Sequence, residues 1–147
     1  MKFSACSLLV LLFSYASFAQ KSVSVKSPDQ KIDLTVNLKN GMLSYALSYG
    51  DGEFLGSSPL GLVSSIGDFS KDLQLVAHHN KKVSEQYTLN KSKVSKVNYQ
   101  ANELRCVVTN GSRDTMSVIF RVSDKDVAFQ YLIHQNGKGA VIYLKKF

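Results

Sequence analysis

Tryptophan is absent from this chain, and cysteine and proline occur only twice each among its 147 residues. Without the indole ring, any aromatic surface for a ligand falls to seven tyrosines and eight phenylalanines. Two cysteines as far apart as Cys6 and Cys106 give no Cys-x-x-Cys and no disulfide framework. With so few prolines and 44% hydrophobic residues, the chain is a folded domain, not a disordered tract. Its longest apolar run, Leu8 to Phe13, is far short of the ~20 residues that span a bilayer. Helical periodicity of convincing length, an internal repeat and a Pro/Gly/Ser-rich linker are all missing, so one domain is expected.

The N-terminus reads as an export signal. Lys2 supplies a positive flank, Leu8 to Phe13 the apolar core, and Ser17-Phe18-Ala19 small residues at cleavage spacing before Gln20. Residues 1–19 are therefore expected to leave as a signal peptide, with 20–147 as the mature, periplasmic or secreted domain and no membrane anchor. Cys6 lies too early for lipidation at the cleavage point, and its removal leaves Cys106 alone. In Leu104-Arg105-Cys106-Val107-Val108 the thiol shares a strand face with Leu104 and Val108, which predicts a buried, unreactive cysteine.

The net charge is +7, and +6 once Lys2 is lost. The lysines are scattered, and their densest group (Lys81, Lys82, Lys91, Lys93, Lys96) alternates with apolar positions. That pattern is a solvated sheet face; with export from the cytoplasm, it argues against nucleic acid as a partner.

From residue 22 onward the apolar positions recur every second residue. Ile32, Leu34, Val36 and Leu38 share one face; Asn40-Gly41 marks a tight turn; Leu43, Tyr45, Leu47 and Tyr49 continue that face on the return. The stretch through Phe54 and Ser57-Ser58-Pro59 to Val63 reads as short edge segments or loop. Further strands are expected at 73–77, 83–89, 94–99, 104–109, 116–122, 127–133 and 141–144, with turns at Asn110-Gly111 and Asn136-Gly137. The fold class is all-β: an antiparallel sandwich, or part of one.

Catalytic chemistry finds no constellation. His78 and His79 are adjacent, so on a strand they point to opposite faces and cannot readily share a metal, and His134 is remote in sequence. Asp124 and Asp126 begin a calcium-loop spacing, but the third ligand and the terminal glutamate do not follow. Glu53, Glu85 and Glu103 are the only glutamates, and none stands in an obvious apolar pocket of the kind that raises a general acid's pKa. A nucleophile elbow and a phosphate loop are both missing. The sequons at Asn90 and Asn110 are short enough to arise by chance, and the second is better explained as a turn. Sugar binding requires only an exposed ring and a few polar groups. Tyr45, Tyr49, Phe120, Phe129 and Tyr131 fall in register with core positions, whereas Tyr87 and Tyr99 lie among lysines and polar residues and are the candidate carbohydrate contacts.

Five segments, in order, resemble one family. They are Ser22 to Ile32, Ser58-Pro59-Leu60-Gly61-Leu62, Glu85-Gln86-Tyr87-Thr88-Leu89, Asn102-Glu103-Leu104, and the hairpin Val118 to Tyr131. Together they resemble the N-terminal domain of glycoside hydrolase family 97, with Lys125-Asp126 where that family usually has Asp-Gly and Gln130 where it usually has Arg. The resemblance implies about half of a larger super-sandwich domain. In the family, the catalytic glutamates and most calcium ligands belong to a (β/α)₈ barrel that follows this domain, and no residue here matches them. No catalytic residue, metal site or cofactor is therefore assigned. The resemblance implies a scaffold for that barrel, in an exported enzyme of the alpha-glucosidase or alpha-galactosidase type, with carbohydrate as a possible ligand. The alternative is a stand-alone exported β-sandwich or β-barrel binding module.

Overall fold

The computed structural model describes residues 21–88, 96–135 and 138–142. They form nine strands and, among the described residues, no helix. The strands are β1 Lys21–Lys26, β2 Ile32–Lys39, β3 Met42–Tyr49, β4 Gly52–Leu60, β5 Gln74–Thr88, β6 Lys96–Thr109, β7 Thr115–Ser123, β8 Val127–Gln135 and β9 Lys138–Ile142. Within each sheet neighbouring strands pair antiparallel, in the orders β1-β2-β3-β4 and β5-β6-β7-β8-β9, and the two sheets pack face to face. This is the all-β sandwich that the alternation predicts.

Alternation explains the packing. Leu34 and Val36 of β2 and Leu43 and Leu47 of β3 point inward at Leu104, Cys106 and Val108 of β6 and Met116, Val118, Phe120 and Val122 of β7. Each such side chain contributes about 1.5–3 kcal/mol by leaving water, so this shared layer is what joins the two sheets. Cys106 is fully buried, as its register implies.

Turn chemistry fixes the register. Asn40 and Gly41 both take positive φ, 52° and 72°, as a two-residue hairpin turn requires. Gly41 is also crowded: a Cβ there would lie 3.0 Å from the Asp72 backbone, to which the glycine's carbonyl is tied through the Leu73 N–H. At Asn110 the turn forms differently from the Asn-Gly expectation. The left-handed residue is Arg113 (φ 68°), and the Asn110 carboxamide accepts the N–H groups of Ser112 and Asp114. The charged turn between β7 and β8 needs no glycine, because none of its residues takes positive φ. Ser123 Oγ accepts the N–H groups of Lys125 and Asp126 and donates to the Asp126 carboxylate. Asp124 faces the other way and accepts the Asp29 N–H at 2.8 Å, tying this turn to the one between β1 and β2.

Three expectations need correction. Over the described residues, the first two of the segments 73–77, 83–89, 94–99 and 104–109 merge into one long strand, β5, and the last two into another, β6, which run 15 and 14 residues. The middle of β5 looks interrupted because from His78 to Lys82 it lies exposed, so no apolar face is selected, although the ladder continues; in β6 the polar run Gln100, Asn102 and Glu103 breaks the pattern. The stretch after Gly52 is one edge strand, β4, with two bulges; Phe54 is the extra residue of one, sitting between the partners of Leu47 and Ser48. Pro59 is tolerated because an edge strand needs a ladder on only one side. Finally, Tyr49 and Phe129 are 56% and 42% exposed, while Phe120 and Tyr131 are buried as expected and Tyr45 is half-buried. Tyr49 ends β3 opposite Gly52, beyond the core. Phe129 lies toward the open side of the sandwich, where Tyr45 has only Ser58 as its β4 neighbour. The proposed signal peptide, Asn90, Lys91, Lys93 and the Asn136-Gly137 turn lie outside the described residues.

Candidate functional site

The pairing of β5 with β6 extends past the rest of its sheet. It runs from Gln74 opposite Thr109 to Thr88 opposite Lys96, whereas β7 joins β6 only from Ala101 onward. Residues 84–88 and 96–100 therefore extend as a two-stranded arm. Because side chains alternate, Val83, Glu85 and Tyr87 share a face with Val97, Tyr99 and Ala101, and Glu85 stands directly opposite Tyr99.

A charged cluster occupies the root of that face. Arg121 of β7 donates through Nε to Glu103 at 3.0 Å and through Nη1 to Glu85 at 3.1 Å, and Lys81 Nζ lies 3.2 Å from the other Glu103 oxygen. Glu103 is buried, and both of its oxygens are engaged by cations, which offsets the cost of removing that charge from water. The carboxylates hold the Arg121 guanidinium above its ordinary pKa, Glu103 most of all. Tyr99 is half-buried, and its hydroxyl is pushed up chiefly by burial and then by the negative charge of Asp126. It therefore stays a protonated donor well above neutral pH.

Tyr87 is 45% exposed, so the two aromatic candidates differ: Tyr87 offers a ring face, and Tyr99 a hydroxyl set among Asp126, Arg121 and Glu85. A ring beside a carboxylate, a guanidinium and a phenol suits a pyranose, whose C–H face stacks and whose hydroxyls both donate and accept. The Glu85–Glu103–Arg121–Lys81 cluster is not legible in sequence, since it needs the β5–β6–β7 register. The available signal was Arg121, the single charge of the otherwise largely apolar β7.

Hydrolysis is a poor match for this geometry. Glu85 and Glu103 share one guanidinium and do not flank a cleft. Ser117 Oγ lies 2.9 Å from His134 Nε2, a spacing that suggests a nucleophile and its base. Yet Ser117 is fully buried, Arg105 Nε donates to its oxygen, and no carboxylate hydrogen-bonds His134 among the described residues. His78 and His79 are exposed and stand opposite Cys106 and Arg105 respectively. Asn110, the asparagine of the second sequon, is buried, with its carboxamide engaged by Asp68, Ser112 and Asp114. On the other sheet, Asp33, Thr35, Ser48, Asp51 and Glu53 line an open depression of about 300 Å³ that has no aromatic ring to stack on.

The fold is an antiparallel β-sandwich whose β5–β6 pair carries a charged, tyrosine-bearing face. The sequence profile of the glycosyl-hydrolase 97 N-terminal family matches residues 25–146, and the chain belongs to that family. Among solved structures it is similar to a beta-arabinopyranosidase, with 46% identity and a TM-score of 0.74 over 79% of this chain and 19% of that one. It also shares its fold with a glycoside hydrolase family 97 enzyme from Pseudoalteromonas sp. strain K8, seen in complex with panose or acarbose. There the identity is 24% and the TM-score 0.70, over 78% of this chain and 18% of that one. None of the curated proteins matches the chain. The chain thus spans less than a fifth of the length of the enzymes it resembles, and the catalytic barrel is not among its 147 residues.

Proposed function

We propose that this domain is the scaffold of an exported glycoside hydrolase, of the alpha-glucosidase or alpha-galactosidase type, packing on the catalytic barrel and offering that enzyme a carbohydrate contact at Tyr87 and Tyr99. It requires no cofactor of its own, and its export rests on the leader at residues 1–19. The observation that carries the sugar-binding part is the exposed Tyr87 ring on the same strand face as Glu85, Tyr99 and Arg121. Similarity to an enzyme solved with panose and acarbose supports the choice of oligosaccharide.

Because the chain has no tryptophan, tyrosine emission can be followed directly during titration with panose. Saturable quenching, lost in Tyr87→Ala and weakened in Tyr99→Phe, is the expected result. Quenching that is absent, or unchanged in both variants, removes the carbohydrate role and leaves the scaffold role standing.

A further inference from the structure

The outward face of the β5–β9 sheet carries a second arginine, finished differently from Arg121. Arg105 of β6 alternates with Leu104 and Cys106 of the core, so it projects away from the sandwich, and it stands opposite His79 on β5 and Ile119 on β7. Its Nε donates to Ser117 Oγ at 3.3 Å, and His134 Nε2 lies 2.9 Å from that same hydroxyl. Ser117 is fully buried, Ile119 nearly so, and Arg105 itself is half-buried. One guanidinium is thus held at Nε, with His79 on the β5 side and His134 on the β8 side. The cluster has no counter-charge of its own. Among the described residues no carboxylate forms an ion pair with Arg105, and no acceptor hydrogen-bonds its two Nη groups. Glu103, two residues away on the same face, is taken on both oxygens by Lys81 and Arg121. Arg121 therefore has two carboxylates, and Arg105 has none.

From this cluster we propose a carboxylate-binding site: Arg105 receives the carboxylate of a small acidic sugar, a hexuronate, on its unpaired Nη groups, with His79 and His134 as flanking hydrogen-bonding groups. A charge partly withdrawn from water is stabilised by an opposite one, and a guanidinium fork matches a planar carboxylate with two parallel bonds. One fixed positive charge balances one negative charge, which suits a carboxylate better than a dianionic phosphate. Gln130 stands opposite Ile119 in the same row, and half-buried Val107 and Leu132 flank Ser117 in the next. They supply an amide and apolar surface for the sugar ring. The choice of a sugar as carrier of the carboxylate rests on the carbohydrate reading above. The site itself does not, because Arg105 lies six residues from Tyr99 along β6, which is roughly 20 Å at about 3.3 Å per residue.

Titration of the isotope-labelled chain with D-glucuronate, followed by amide chemical shifts, tests the proposal. Saturable shifts centred on His79, Arg105 and Ser117 are expected. The methyl ester of glucuronate keeps the ring and loses the charge. It should bind about ten- to hundredfold more weakly, the factor that a charge-assisted hydrogen-bonded pair supplies, and Arg105→Gln should lose as much toward glucuronate itself. Lys125→Gln removes a charge of the same sign from an exposed turn and should leave the affinity unchanged. The ester comparison uses the unaltered chain, so it decides the matter even where Arg105→Gln fails to fold. The site is overturned if shifts are absent or centre on Tyr87 and Tyr99, or if the ester binds as tightly as the acid. It is equally overturned if Lys125→Gln weakens binding as much as Arg105→Gln, which would reduce the effect to the net charge of +7. Acetate separates the carboxylate from its carrier: acetate binding as tightly as glucuronate overturns the acidic-sugar assignment. Glucuronate shifts at Arg105 together with no panose shifts at Tyr87 would support the site and remove the carbohydrate contact on the arm alone.

Discussion

Raising the pH should destabilise the chain through Cys106 in a way that a single substitution removes. The thiol is fully buried between Leu104 and Val108, and burial pushes its pKa from 9.0 up to about 12. In the unfolded chain it regains the ordinary value. Below pH 9 both states hold the proton and nothing changes. Above it, the unfolded state releases a proton that the folded state keeps, so the unfolded state binds fewer protons and stability falls as pH rises, until the folded thiol also ionises near 12. At about pH 10.5 the unfolded thiolate is favoured by roughly thirtyfold over the thiol, which costs the folded state about 2 kcal/mol relative to about pH 8. Urea titrations of the wild-type chain and of Cys106→Ala at both values give the measurement. Groups other than Cys106 are the same in both proteins, so any protons they lose at alkaline pH cancel in the difference. The cost of the small cavity left by alanine is the same at both values. The stability advantage of wild type over Cys106→Ala should therefore shrink by about 2 kcal/mol at the higher pH. An advantage that stays constant would mean that Cys106 ionises as freely in the folded protein as in the unfolded one.

Other substitutions probe the core, the charged cluster and the turn. Phe120→Ala removes a fully buried ring that contacts Tyr45 and Phe129 and should cost about 3–5 kcal/mol in urea unfolding; a loss below 1 kcal/mol would deny that the sheets share this layer. Glu103→Gln keeps the shape but discards the charge held by Arg121 and Lys81, with an expected loss of about 1–3 kcal/mol. Lys81→Ala, at the exposed end of the same network, should stay within about 1 kcal/mol of wild type, and an equal loss in the two would place the energy elsewhere. Gly41→Ala demands positive φ and a Cβ 3.0 Å from the Asp72 backbone, so its unfolding midpoint should fall by more than that of Gly50→Ala, which has positive φ but open space around it.

Period-two alternation made the fold legible. The hairpin of β2 and β3, its Asn40-Gly41 turn, the buried Cys106 and, among the described residues, the absence of helices all follow from which residues recur every second position. What the alternation could not show was where a strand passes beyond its covering sheet. From His78 to Lys82, β5 buries neither face, so the hydrophobic pattern stops although the hydrogen-bond ladder does not. Bulges hid β4 in the same way, because each inserted residue shifts the register and scrambles the pattern. The candidate site was half legible. Tyr87 stood out by its polar neighbours, but Glu85, Glu103 and Arg121 come together only through pairing across three strands, which no local spacing encodes. Phe129 misled because a residue on the inward face is buried only where the opposite sheet reaches it.

The proposed role is carbohydrate contact on the β5–β6 arm without cleavage. Amide chemical shifts of the isotope-labelled chain, followed during titration with panose while released sugar is assayed in the same sample, test both halves together. Shifts concentrated at Glu85, Tyr87, Tyr99 and Arg121, with no release, are expected. Shifts centred on the depression between Asp33 and Glu53, no shifts at any residue, or release of sugar would contradict it.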